Sequence, residues 1–297
     1  MKQPLFTGSG VAIVTPFNRE TVDLNTMGRL LDFQLANGTD AVIVCGTTGE
    51  ASTMTYWERM RTIEYCVEHV AGRVPVIAGA GSNSTENTIA LSRDAERAGA
   101  DGLLLVTPYY NKASQAGLLR HYSVTADAVH SPIILYNVPS RTGVTIAPET
   151  YAELSKHPNI NGTKEASGDF SLISRTLKLC GDDLNIWSGN DDNTLALMAM
   201  GGKGVISVFT NILPKPMSEL CDLCLKGDFA AAREIHNKYS NLFHDLFIET
   251  NPIPVKTAMN LLGYDVGELR LPLCEMDPAN VEKLKAELTN VGLKLIG

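Results

Sequence analysis

The sequence predicts an α/β fold, a (β/α)8 TIM barrel with a C-terminal helical extension. Three observations predict it. Short continuous runs rich in Val, Ile and Leu recur through the first two thirds of the chain. Amphipathic stretches lie between them, at a repeat of roughly 20 to 33 residues that suits one βα unit. After Val208 the strand signals stop and only helical stretches follow.

The apolar runs fall at 11–14, 41–45, 74–78, 102–106, 132–136, 160–164, 184–187 and 204–208. Continuous runs, unlike alternating ones, suit strands buried on both faces, as in a parallel sheet. Helical spacing covers 25–37, where Leu30, Leu31 and Leu35 share a face and Gly38 is a stop. It recurs at 55–70, 85–98, 114–129, 147–155, 170–180 and 190–200. Eight such units close into a barrel. An open doubly wound sheet is the other solution, but no early glycine-rich nucleotide fingerprint favours it. The expected division is a barrel over 1–213 and a helical part over 214–297. Its helices are expected at 216–225, 229–249, 255–262 and 278–291, with Pro252 and Pro254 separating the middle pair.

The chain has 297 residues, 44% hydrophobic and 20% charged, a globular composition. Its net charge of −8 argues against nucleic acid or an anionic membrane as the main partner. The first residues show no export signal pattern, and no window approaches the length of a membrane span. Cys45, Cys66 and Cys180 sit in apolar surroundings and read as reduced core residues, so a cytoplasmic location is expected. Cys221 and Cys224 form a C-x-x-C in a helical pattern without a second pair, and read as packing.

In a barrel of this kind the chemistry sits at the C-terminal ends of the strands. Those tips carry Gly46-Thr47-Thr48-Gly49-Glu50, Thr107-Pro108-Tyr109-Tyr110-Asn111 and Tyr136-Asn137-Val138-Pro139-Ser140-Arg141-Thr142. They continue with Lys164-Glu165, Ser188-Gly189-Asn190-Asp191-Asp192 and Phe209-Thr210-Asn211. Lys164 has two readings: a strand-end lysine paired with a carboxylate, or a desolvated amine. Burial lowers a lysine's pKa, and only the neutral amine attacks a carbonyl to form a Schiff base. Thr47 and Tyr136 beside it make a proton-transfer set. The Gly-Thr-Thr-Gly run suits a carboxylate, or is a simple strand-to-helix turn. Tyr109 and Tyr110 read equally as core or interface aromatics. Arg141 reads as a loop charge or as a bidentate grip on a carboxylate.

Asp191 and Asp192 stand where barrels usually hold phosphate, so a non-phosphorylated substrate is expected. The six histidines show no metal-ligand spacing, so no metal and no other cofactor is expected. Lys203 precedes the eighth run, at the opposite end of the barrel, and Lys112 is in a loop.

Together the tips resemble the dihydrodipicolinate synthase family, within the class I pyruvate lyases that include N-acetylneuraminate lyase. The matching motifs are Gly46-Thr47-Thr48-Gly49-Glu50, Pro108-Tyr109-Tyr110-Asn111, Tyr136 to Thr142, and Gly162-Thr163-Lys164-Glu165-Ala166. The resemblance covers nearly the whole chain. It implies that Lys164 forms a Schiff base with pyruvate and that the enamine attacks L-aspartate-4-semialdehyde. It implies Tyr136 as central proton donor and acceptor, linked by Thr47 to Tyr110, which reaches the neighbouring subunit's site. Thr48 would hold the pyruvate carboxylate and Arg141 the semialdehyde carboxylate, with backbone contacts from Gly189 and Ile206. A homo-oligomer follows, either a dimer or a tetramer built as a dimer of dimers.

The same resemblance places a lysine-inhibition site near Ala51, Ser52, Tyr56, Arg59, Asn83, Asn87 and Tyr109. Lysine-sensitive members carry His or Glu at the position of Arg59 and an acid at that of Asn87, so weak or absent feedback is expected here. The nearest other activity is a sialic acid lyase or a 2-keto-3-deoxy sugar acid aldolase. A non-catalytic keto-acid binder is the reading from another class.

Overall fold

The apolar runs become parallel strands that close in chain order into one barrel, in a computed structural model that describes residues 2–19 and 21–296. The strands are β1 (Gly8–Ala12), β2 (Ala41–Val44), β3 (Val76–Gly79), β4 (Gly102–Val106), β5 (Ile133–Asn137), β6 (Ile160–Glu165), β7 (Asn185–Ser188) and β8 (Gly204–Ser207). The helices between them are α1 (Leu24–Ala36), α2 (Tyr56–Val70), α3 (Thr85–Arg97), α4 (Gln115–Asp127), α5 (Pro139–Thr142), α6 (Pro148–Leu154), α7 (Phe170–Cys180) and α8 (Thr194–Ala199). After β8 come α9 (Pro214–Leu225), α10 (Phe229–Asp245), α11 (Ile253–Leu261) and α12 (Pro278–Asn290).

Side-chain caps start many of these helices where the sequence supplies a short polar residue. Thr55 and Glu58 form a reciprocal capping box at the head of α2. Asp23, Ser84, Ser114, Asp169 and Asp228 each accept a backbone N–H of the following turn.

Two layers of core follow from strand alternation. Ile43, Ile77, Leu104, Ile134, Trp187 and Ile206 belong to one cluster with Tyr136 inside the barrel. Phe6 stacks on Trp187 at 5.1 Å between ring centroids and closes the N-terminal end. The larger cluster lies between sheet and helices and holds the buried Cys45, Cys66, Cys180, Cys221 and Cys224. The C-x-x-C is thus core packing on α9. No helix among the described residues is long and apolar enough to cross a membrane.

Four boundaries differ from expectation, one of them the end of α10, which stops at Asp245 and not at 249. Strand β1 starts at Gly8 rather than at Val11. A Cβ on Gly10 would meet Ile43 Cδ1 at 2.8 Å, so small residues are what this close approach requires, and an apolar pattern does not register them. Pro139–Thr142 forms an extra helical turn directly after β5. The stretch predicted as one helix over 190–200 splits into a 3-10 turn, Asp191–Asn193, and α8. After β8, α9 packs on β1 and α8, the place of the eighth barrel helix, while α12 packs against α10 and α11.

Candidate active site

Lys164, one residue before the end of β6, points into the barrel and is buried, with Nζ 4.5 Å from the centre of the Tyr136 ring. Its strand partner in β5 is Tyr136 itself. A cavity of about 490 Å³ opens above them at the C-terminal ends of the strands. Thr48, Tyr136, Arg141, Lys164 and Gly189 all line it, five of the residues the sequence singled out. Glycine at 189 is a packing requirement. A Cβ there would lie 2.7 Å from Ala166 Cβ and 3.1 Å from Lys164 Cε, in the path of the lysine chain.

Burial depresses the Lys164 ammonium to about 8; the Asp191 carboxylate opposes this and the Arg141 guanidinium adds to it. The amine is therefore partly neutral near physiological pH, as a nucleophile toward a carbonyl must be. Burial pushes the Tyr136 phenol up, against the Arg141 charge and a hydrogen bond with the Thr47 side chain. Thr47 itself lines an adjoining cavity of about 390 Å³, which shares Tyr136, Val138 and Arg141 with the first and also meets Arg59 and Tyr109.

Two expected residues line neither cavity. Tyr110 is 89% exposed and reaches neither cavity of its own chain. Ile206 is buried in the barrel interior beneath the cavity floor. Asp191 does not face solvent as a simple phosphate-repelling charge. It is buried, and its Oδ2 accepts the N–H groups of Val208 at 3.2 Å and Phe209 at 3.0 Å. Those are the donors after β8 that a phosphate would need, so a carboxylate already occupies them.

The sequence reading missed what the C-terminal part contributes. Residues 247–251 form one wall of the cavity. Asn251 Nδ2 donates to Thr48 Oγ1 at 2.9 Å, and its backbone oxygen accepts from Arg141 Nη2 at 3.0 Å. Asn251 thus ties together the two residues expected to grip carboxylates. The prolines at 252 and 254 marked this segment as a break between helices, but nothing in the pattern placed it over the barrel mouth. Lys256 was missed too. It is as buried as Lys164, but its Nζ is paired with Glu50 Oε1 at 2.8 Å, at the end of the Thr47–Thr48 turn.

The chain also resembles known proteins over nearly its whole length. The family model of the dihydrodipicolinate synthetase family matches residues 5–291. The chain belongs to that family. A 4-hydroxy-tetrahydrodipicolinate synthase from Thermoanaerobacter sp. (strain X514) is 53% identical over 291 residues, 98% of each chain. The crystal structure of dihydrodipicolinate synthase from Aquifex aeolicus superposes with a TM-score of 0.96 at 47% identity, covering 98% of this chain and 100% of that one. The chloride-inhibited dihydrodipicolinate synthase from Acinetobacter baumannii, solved in complex with pyruvate, gives a TM-score of 0.95 at 41% identity, covering 97% and 99%. Dihydrodipicolinate synthetase family membership thus extends over the barrel and the C-terminal helices α9 to α12.

Proposed function

We infer that this chain is a lyase of the class I aldolase type, which condenses pyruvate with L-aspartate-4-semialdehyde to 4-hydroxy-tetrahydrodipicolinate, in diaminopimelate and lysine biosynthesis. The observation that carries the reading is the buried Lys164 amine beside Tyr136, with Thr48 and Arg141 on the same cavity wall.

The neutral Lys164 amine attacks C2 of pyruvate, and water leaves as the imine forms. Loss of a proton from C3 gives an enamine, which adds to the aldehyde carbon of the second substrate. The resulting alkoxide takes up a proton. The amino group of the second substrate then attacks C2, closes the ring and displaces Lys164. One water leaves in total, and no metal or other cofactor is needed. Tyr136 stands at the lysine's side to accept and return these protons, with Thr47 as its hydrogen-bond partner. Thr48 holds the pyruvate carboxylate and Arg141 that of the semialdehyde. Gly189 and Ile206 supply backbone contacts. Tyr110, exposed on its own chain, completes the proton path in a neighbouring subunit, so the working unit is a homo-oligomer, a dimer or a dimer of dimers. The cytoplasm is its place of action.

The test is mass spectrometry after borohydride reduction with pyruvate, on the parent and on Lys164→Ala. A pyruvate-sized adduct on Lys164 and none in the variant is the expected result. No adduct on the folded parent would overturn the reading.

A further inference from the structure

Lys164 and Tyr136 point into the barrel. Their chain neighbours Glu165 and Asn137 therefore point out of it, between sheet and helices. The two outward residues are strand partners in their turn, Asn137 opposite Glu165, next to the Tyr136–Lys164 pair. Both are buried.

The Glu165 carboxylate sits in a closed set of donors. Asn137 Nδ2 donates to both of its oxygens at 3.0 Å. The Ser167 N–H donates to Oε1 at 2.8 Å, and the Tyr151 hydroxyl on α6 donates to Oε2 at 3.1 Å. Asn137 is fixed from its other side, where Oδ1 accepts the Ile146 N–H at 3.1 Å. Burial pushes the Glu165 carboxyl up, while the bonds from Ser167, Asn137 and Tyr151 hold it down.

A buried carboxylate is costly, and a pair of apolar residues would pack this layer as well. The sheet supplies a reason for it. The β5–β6 ladder is interrupted near its start: Ile133 pairs with Ile160, Ile134 pairs with Gly162, and Asn161 is left over. A bulge of this kind loosens local pairing. A slip of one residue would turn Lys164 out of the cavity and Glu165 into it. Above the bulge, the Asn137–Glu165 bonds fasten the two strand tips side by side.

We propose that Asn137 and Glu165, backed by Tyr151, are positioning residues that hold the Lys164 amine against the Tyr136 ring. The proposal rests on the Schiff-base reading of the site. None of the three lines the cavity, and they act through the two residues that do.

The test compares Asn137→Ala and Tyr151→Phe with the parent. The readouts are kcat, KM for pyruvate, the rate of borohydride-trappable adduct formation, and folding by near-ultraviolet circular dichroism. A purely structural role lowers thermal stability but leaves the rates per folded enzyme alone. A positioning role lowers kcat and the trapping rate together, about tenfold for Asn137→Ala, with KM for pyruvate little changed. A fall of less than threefold in both rates of folded Asn137→Ala would overturn the proposal. Should that variant not fold, Tyr151→Phe decides, since it deletes one hydroxyl and keeps the packing. A loss of twofold or more in both rates supports the role, and a smaller change overturns it. A parent that traps no pyruvate overturns the Schiff-base reading and this proposal with it, a result distinct from a trapping parent with unaffected variants.

Discussion

Lys164 and Tyr136 are direct partners across β5 and β6, and the lysine Nζ lies 4.5 Å from the centre of the tyrosine ring. The pairing puts an amine and a phenol on one surface without help from a flexible loop. It also removes both from water. Burial thus does two things at once: it lowers the amine toward neutrality and keeps the phenol protonated.

A pH dependence follows. Burial holds the Lys164 ammonium at about 8, below the ordinary lysine value of 10.5, so the neutral fraction grows as pH rises through 8. The rate of pyruvate adduct formation is expected to climb with pH below that point and level off above it. Stopped-flow trapping across this range measures it. In stability the sign is the same: between the two values the unfolded chain holds the extra proton, so the penalty of burying this lysine shrinks as pH rises. A flat rate profile below pH 8 would contradict the assignment.

Arg141 and Asn251 are joined by a hydrogen bond of 3.0 Å on the cavity wall. Arg141→Ala is expected to leave pyruvate adduct formation within a few-fold of the parent and to raise KM for the semialdehyde by tenfold or more. That scale is about 1.4 kcal/mol per factor of ten, within the range for losing a charge-assisted hydrogen bond. Steady-state kinetics with each substrate varied in turn separates the two effects.

Glu50 and Lys256 form an ion pair with both side chains essentially inaccessible to water. Removing one partner strands a buried charge, so Lys256→Met is expected to cost about 3–5 kcal/mol in equilibrium unfolding. The double variant Glu50→Gln with Lys256→Met is expected to recover much of that loss. Equal losses in the single and double variants would refute the pairing account.

Tyr110 is 89% exposed, and Trp57 and Leu271 are nearly as open, at 78% and 82%. An aromatic side chain left this open to water is expected to be covered by a second copy of the chain. Sedimentation should show an oligomer whose specific activity falls on dilution, and Tyr110→Phe should lower kcat. A fully active monomer would remove Tyr110 from the proton path.

Arg59 lines the adjoining cavity with Ala51, Ser52 and Tyr109, and donates to the Gly79 carbonyl at 2.7 Å. Asn87 is exposed, and Tyr56 is turned to Asp94. A fixed guanidinium there disfavours a cationic ligand. L-Lysine is expected not to inhibit at sub-millimolar concentration, and a titration of initial rate against lysine checks it.

Sequence alone carried the barrel and several of the residues that line its cavity because both depend on local pattern. Strands buried on two faces must be continuously apolar, so Ala41–Val44 and Ile133–Asn137 declare themselves. The tips that follow them face the cavity, so Thr48, Tyr136, Arg141 and Lys164 could be named from position. Strand β1 was read late because its glycines answer to close approach and not to hydrophobicity. What only the tertiary structure decided is long-range. Asn251 closes the cavity from 203 residues beyond its Thr48 partner, and Lys256 finds Glu50 across 206. The Asn137–Glu165 clasp needs a register that a bulge resets. Such contacts leave no period in the chain, because they come from where the ends of separate elements meet in space.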